Sequence, residues 1–315
     1  MGAVLQVPAD RQQRQRLLTW AREFAPRLWA VEGATGTGAL LAQQLVAAGE
    51  TVVDVPPKLA ARVRLLDSEH SDKSDSHDAR STAIVALRNS RLRQVSLEDH
   101  SAVLRLLAKR HHDLVAARTR AICRLHTTVC FLVEGHLPRR LRAEQAAKIL
   151  AAIRPTTAID VERKTLARDL LAEVSRVDRE LAEHLERTGH AIEASGTTVI
   201  GLYGVGSIVA AYLIGYSGDI RRFPSAGHYA RYNATAPIEA SSGPVIRHRL
   251  NPRGNRQLNH AIHMIAVTQI RHDTAGRGYY LRKQAEGHSR KEAMRALKRR
   301  ISDAVYRQLL TDARH

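Results

Sequence analysis

Leu28-Trp29-Ala30-Val31-Glu32-Gly33, the helix-like stretch Ala39 to Ala48, Gly49, and then Thr51-Val52-Val53-Asp54-Val55 decide how this chain begins to fold. Leu28 to Val31 is a short apolar run of the kind that makes a buried strand. Ala39 to Ala48 reads as a helix with Gly49 at its C′ position. Thr51 to Val55 returns as a strand before Pro56-Pro57. Strand, helix, strand at this spacing is a βαβ crossover and implies parallel pairing. Glu32 then falls at the tip of the first strand. Gly33, Gly36 and Gly38 could cradle a phosphate, but neither a Walker Lys-Ser/Thr pair nor a dinucleotide fingerprint accompanies them. They read as turn geometry. Upstream, Gly2 to Val7 looks like a further strand, and Arg14 to Phe24 like a helix with Leu17, Leu18 and Trp20 as its apolar contacts.

Beyond this unit lies Lys73-Ser74-Asp75-Ser76-His77-Asp78-Ala79-Arg80, opening a helix expected over Ala79 to Leu87. Carboxylates three apart on a helix project from one face. That face can hold a hard divalent cation such as Mg2+. The same spacing at a helix start also serves capping and macrodipole chemistry. Spacing alone leaves both readings open.

From about Leu97 to Thr188 glycine nearly disappears and apolar residues recur at helical spacing. Leu114, Ala117, Ala121, Leu125, Val129 and Leu132 mark one segment. Leu166, Leu170, Val174, Val177, Leu181 and Leu185 mark another with a heptad-like seam. An antiparallel hairpin and a dimerising coiled coil both fit. The Arg-rich faces (Arg118, Arg120, Arg124; Arg139, Arg140, Arg142) suit either nucleic-acid backbone or plain solvation. Cys123 and Cys130 suit neither a disulfide framework nor a zinc site, and point to a reducing cytoplasm.

The last third differs again. Ile200 to Gly206 precedes a helix expected from Ser207 to Tyr216. A Gly204-Val205-Gly206 turn lets backbone N–H groups at a helix start approach a phosphate, as in a helix-hairpin-helix. Next come Ala236-Pro237-Ile238-Glu239-Ala240-Ser241-Ser242-Gly243-Pro244 and a dense set of donors: Arg247, His248, Arg249, Asn251, Arg253, Asn255, Arg256, Asn259 and His260. A serine hydroxyl is a weak nucleophile unless a base or positive field assists it. Arginines stabilise the charge of a phosphoryl transition state. On local sequence alone, Ser241-Ser242-Gly243 also suits a plain flexible turn.

Net charge supports a polyanionic partner. Lys and Arg number 49 against 31 Asp and Glu, a balance of +18, and each phosphate neutralised releases counterions. A membrane is the rival polyanion. No segment approaches the ~18 apolar residues of a span, and the N-terminus lacks a basic-then-apolar signal pattern. Nucleic acid is the expected partner, and no membrane.

In this order, Glu32 at a strand end, Lys73-Ser74-Asp75-x-x-Asp78-Ala79, a long helical insert, Gly204-Val205-Gly206, Ala236-Pro237-x-x-x-Ser241-Ser242-Gly243 and Arg253-Gly254-Asn255-Arg256-x-Leu258-Asn259 resemble one family. It is the DEDD insertion-sequence transposases of the IS-one-ten type, and the resemblance runs from Val4 to about Leu310. It implies an RNase H/RuvC-like α/β domain whose acidic tetrad binds Mg2+, with Glu32 as second member, Asp75 as third and Asp78 as fourth. The family's serine stands directly before glycine, which carries over to Ser242, with Ser241 as second choice. Family members recombine DNA by serine attack on a phosphodiester through a transient phosphoserine link. Several use an RNA guide encoded in the element, and they act as multimers in which different subunits contribute the acidic and serine sites.

The resemblance also sets expectations about departures. The family's first aspartate sits on the opening strand of the sheet, ahead of the strand expected at Gly2 to Val7, so the chain is expected to begin after it. Asp10 does not match that position. At Ala234 the family more usually has glycine; a left-handed backbone there would cost alanine roughly 1–2 kcal/mol. The expected organisation is a RuvC-like domain lacking its first strand over residues 1–96, a helical or coiled-coil region over 97–190, and a mostly α serine transposase domain with a helix-hairpin-helix over 191–315. Expected nucleic-acid contacts are Gly204, Gly206, Arg247, Arg249, Arg253 and Arg256. DNA, a guide RNA and further copies of the chain are the expected partners. Two other classes stay open: a RuvC-like nuclease for branched DNA, which would not need Ser242, and a non-catalytic nucleic-acid-binding remnant.

Overall fold

The computed structural model describes residues 3–67, 74–135, 137–138, 141–239, 248–249, 251 and 253–314. The chain divides into two compact units, Met1–Glu98 and Asp99–His315.

In the first unit, α1 (Gln13–Ala21) leads to β1 (Trp29–Glu32), α2 (Ala39–Ala47) and β2 (Val52–Val55). β1 and β2 pair in parallel, with Trp29 opposite Val52 and Glu32 opposite Val55, so the expected βαβ crossover is present. Gly49 closes α2 as expected. Its φ is +83°, its N–H donates to Val46 O at 2.9 Å, and the next amide donates to Leu45 O at 3.1 Å, the Schellman arrangement. Gly38 lets the start of α2 press against β1, since a Cβ there would lie 2.7 Å from Val31 Cγ1 and 2.8 Å from Glu32 O. α3 (Pro57–Asp67), α4 (Asp75–Arg88) and the short β3 (Arg93–Gln94) follow, β3 running antiparallel to β2.

Side chains alternate across this small mixed sheet. Val31 and Val52 face α2, with Ala34, Ala42, Leu45 and Leu18. Ala30 and Val55 face the other way, with Ala60 of α3 and Val85 of α4. By the same alternation, Glu32 belongs to the α3–α4 face and Asp54 to the α2 face.

One expectation fails here. Residues 3–7 form no strand; Val4 is 76% exposed and Leu5 41%. A strand needs a lateral hydrogen-bonding partner or a buried face, and this segment has neither among the described residues.

In the second unit, α5 (His100–Cys130), α6 (Ala143–Ala152) and α7 (Ala158–Ala194) precede α8 (Ser207–Ser217), α9 (Ala226–Tyr232), the strand pair β4 (Ile238–Glu239) and β5 (His248–Arg249), α10 (Arg256–Arg271), α11 (Ala275–Ala285) and α12 (Arg290–Asp312). Asp99 and Thr157 cap α5 and α7 through their side-chain oxygens. α5 and α7 pack antiparallel within the chain: Leu107 O accepts from His184 Nε2 at 2.9 Å, and Arg110 and Arg118 pair with Glu180 and Asp178. The heptad reading therefore resolves as an intrachain hairpin. Its seam on α7 is shifted from the expected one. Ala167, Leu170, Val174, Val177, His184 and Thr188 are buried, whereas Leu166 and Leu185 are 45% and 52% exposed. Polar side chains can hold seam positions because each finds a carbonyl: Lys164 Nζ donates to Ile153 O at 2.6 Å and Thr188 Oγ1 to His184 O at 2.7 Å.

α8 carries no charged residue and is buried nearly all round, as an all-apolar helix must be. It centres the main core, against Leu104 and Leu107 of α5, Leu258, Ile262 and Ile265 of α10, and Leu297, Ile301 and Val305 of α12.

Candidate functional site

The acidic residues come first along the chain. Ser74 caps α4, its Oγ accepting from His77 N at 3.3 Å, and this places Asp75 and Asp78 in the first turn, where the helix dipole favours carboxylates. α4 packs against β1 and β2, on the sheet face that Glu32 shares. Asp75 and Glu32 are exposed, whereas the Asp78 carboxylate accepts a hydrogen bond from the Arg64 guanidinium of α3. Among the described residues no group of three or more His, Cys, Asp or Glu side chains is gathered closely enough to hold a metal ion. The donors are the hard oxygens that Mg2+ prefers, but they stand apart and one is ion-paired. Asp54, which sequence reading passed over, is held in place on the opposite face. Its Oδ1 accepts from Ala34 N at 2.9 Å, fixing the loop after β1.

In the second unit the glycine turn serves packing. Gly204 has φ +92° and lies against α10, where a Cβ would come 3.3 Å from Ile265 O and from Thr268 Cβ. Gly206 is exposed at the N-cap of α8, with open space around it. Of the two, only Gly206 is exposed.

β4 and β5 pair antiparallel, with Ile238 opposite Arg249 and Glu239 opposite His248. Residues 240–247, with Ser241, Ser242 and Arg247, lie outside the described residues. Around the base of this strand pair, asparagines expected as phosphate donors are committed to the backbone instead. Asn251 Nδ2 donates to Arg231 O at 2.8 Å, and Asn255 Oδ1 caps α10 by accepting from Gln257 N and Leu258 N at 3.0 Å. Asn259 Nδ2 donates to Asn233 O and Ala234 O at 3.0 and 3.1 Å. Asn233 is fully buried, donating to Ser302 Oγ at 2.7 Å and accepting from Thr235 N and Oγ1. This network carries Ala234 in the left-handed conformation, at φ 60°, the condition under which alanine is strained there.

A cavity of about 280 Å³ opens here, lined by Ala234, Asn251, Arg256, Asn259, His260 and His263. The last four stand at i, i+3, i+4 and i+7 on one face of α10. Behind them, Lys298 of α12 donates through Nζ to Asn259 Oδ1 at 2.6 Å. Burial pushes the Lys298 ammonium down to about 8. Burial, with Lys298 and His260 nearby, also holds the His263 imidazole below its usual value. Arg253 is exposed on the approach to α10.

Two family profiles match the chain. A DEDD transposase profile of the IS110 type covers residues 3–132, and one described as "Transposase IS116/IS110/IS902 family" covers residues 198–281. The chain belongs to the IS110 family of insertion-sequence transposases. Among its relatives, it is 26% identical over 333 residues to the 42 kDa protein of insertion element IS900 of Mycobacterium paratuberculosis, covering 89% of this chain and 82% of that protein. To the 44.8 kDa protein of insertion element IS116 of Streptomyces clavuligerus it is 28% identical over 354 residues, covering 95% and 86%. This transposase is thus a DNA-transposing enzyme, and the DEDD domain of its family is RuvC-like. Among its described residues, no helix is long and apolar enough to cross a membrane.

Sequence reading of this IS110-family chain missed His263, Lys298 and Asn233 as parts of the polar site. The spacing from Arg256 to His263 could have shown the α10 face. Nothing local in the sequence connects that face to Lys298.

Proposed function

We propose that the chain cuts and rejoins DNA by serine attack, with Ser242 as nucleophile and Ser241 as the second choice. The observation that carries this reading is the cationic cavity beside the strands that lead into and out of residues 240–247. Ala234 and Asn251, near the two ends of that stretch, both line it. In the proposed step the serine oxygen bonds to phosphorus, the bond to one ribose oxygen breaks, and that oxygen leaves with a proton. Arg256 and the arginines expected around the strand pair (Arg247, Arg249, Arg253) would offset the charge of the five-coordinate phosphorus. Gly206 would add backbone donors to a phosphate.

Mg2+ is proposed at Glu32, Asp75 and Asp78, once Asp78 is released by Arg64; when bound it would supply positive charge to a DNA phosphate. Support for that ion is the donor chemistry and the family, since the described geometry keeps the three carboxylates ungathered. A guide RNA, a homo-oligomer and action in the cytoplasm complete the proposal, supported by the family resemblance and, for the polyanionic partners, by the +18 charge.

The test uses DNA carrying the ends of the element. Ser242→Ala abolishes the covalent protein–DNA adduct and leaves DNA binding nearly intact, while Asp78→Ala abolishes cleavage. If Ser241→Ala alone removes the adduct, the nucleophile is Ser241. Cleavage that needs the carboxylates and neither serine replaces this reading with the nuclease one.

A further inference from the structure

We propose that the α10 cavity is a seat for one phosphate group of a nucleic-acid backbone, held by Arg256, His260 and His263 and backed by Lys298. The proposal deepens the transposase reading and rests on it for the source of the phosphate; the seat itself rests on this unit's own geometry. Arg256, Asn259, His260 and His263 converge on a cavity of about 280 Å³, roomy enough for a tetrahedral anion. Among the described residues, no carboxylate compensates this cluster: no acid figures among the groups acting on His263 or Lys298, and neither residue, nor Arg256 or His260, forms an ion pair. Lys298 is held by a neutral amide oxygen alone, Asn259 Oδ1 at 2.6 Å.

Such a cluster is costly as it stands, because burial and mutual repulsion both disfavour the charged forms. An anion in the cavity removes both penalties. A divalent cation would add to them. The shape of the wall is fixed independently of any ligand, since Asn259 ties α10 to the Asn233–Ala234 turn and Asn251 ties the other rim to Arg231 O. Both asparagines are thereby spent on architecture, which leaves Arg256, His260 and His263 as the groups able to reach the ligand. Arg256 supplies a planar fork suited to two phosphate oxygens, and the imidazoles supply single N–H donors.

The experiment follows the imidazole resonances of His260 and His263 by NMR in the full chain, titrating first inorganic phosphate and then a short single-stranded oligodeoxynucleotide. Both ligands are expected to shift these two resonances, with no comparable shift at His184, which lies in the α5–α7 seam. Arg256→Ala and His260→Ala are each expected to weaken oligonucleotide affinity about tenfold, the worth of one charge-assisted hydrogen bond. Both residues are exposed, and an unchanged circular dichroism spectrum checks the fold. Phosphate that shifts neither resonance overturns the seat, even if a variant fails to fold. Phosphate that shifts them while the oligonucleotide does not overturns the nucleic-acid source and leaves a free-anion site. Failure of the transposase reading looks different: intact binding at the seat, with no role for either serine in strand exchange.

Discussion

Gly254 lies flat against Ala234: a Cβ at 254 would fall 2.4 Å from Ala234 Cβ and 2.8 Å from its amide nitrogen. The two positions are complementary, because Ala234 bears a side chain on a left-handed backbone and Gly254 gives up its own to make room. Gly254→Ala is therefore expected to destabilise the second unit by about 2 kcal/mol through overpacking against backbone. Ala234→Gly is expected to stabilise it by roughly 0.5–1 kcal/mol, the relieved strain less the added entropy of the unfolded chain. Urea unfolding of both variants decides this; a destabilising Ala234→Gly would contradict it.

Asn233 is expected to be the most sensitive polar position in the same region. Asn233→Ala leaves the buried Ser302 hydroxyl without its Asn233 donor, while the Thr235 amide keeps Ala230 O, a loss of about 2 kcal/mol. Chemical denaturation should show the drop, and nucleic-acid affinity should fall with it because the turn carries one wall of the cavity. A variant with unchanged stability would show the network to be dispensable.

The α5–α7 hairpin should be acid-sensitive. His184 is buried, its Nε2 on Leu107 O, with the His111 ring 6.0 Å away and Arg110 and Arg187 nearby. Burial, the leading cause, holds both imidazoles below their usual value. The unfolded chain therefore takes up protons first as pH falls through about 6.5. Stability is full above that pH and is lost as pH drops through the lower folded-state values. His184→Gln, which retains an N–H donor, should flatten this dependence. Equal slopes of stability between pH 7.5 and 5.5 in variant and parent would rule out His184 as the source.

Arg64 and Asp78 are each partly exposed, at 29% and 25%, so breaking the pair should cost under about 1 kcal/mol. Its effect on ion binding should be larger. Arg64→Ala removes the guanidinium that competes for the Asp78 carboxylate, and calorimetric Mg2+ affinity is expected to rise. Unchanged affinity, with Asp78→Ala also silent, would remove Asp78 from the proposed metal set.

Local patterns were legible where one residue's chemistry decides one backbone outcome. The run Trp29 to Val55 gave parallel strands around a helix because the apolar runs, Gly49 and the prolines each act within a few residues of themselves. The left-handed backbone at Ala234 was likewise open to reading, through the glycine it replaces. Gly2 to Val7 misled for the complementary reason: apolar composition permits a strand, but only a neighbouring edge makes one. The α7 seam misled because helical spacing leaves the face ambiguous by one position, and carbonyls of α5, of the loop before α7 and of α7 itself accepted His184, Lys164 and Thr188 at its buried positions.

Sequence by itself therefore determined the family, the basic charge and the strand–helix–strand order from Trp29 to Val55, since each depends on residue type and short spacing. Only the tertiary structure decided that Arg64 holds Asp78, that Asn251, Asn255 and Asn259 serve the backbone, and that Lys298 stands behind the α10 face. Those outcomes depend on which side chains compete for the same hydrogen-bonding partner once helices far apart in the chain are packed together. That competition is settled by burial and distance, and neither is written in any local stretch of residues.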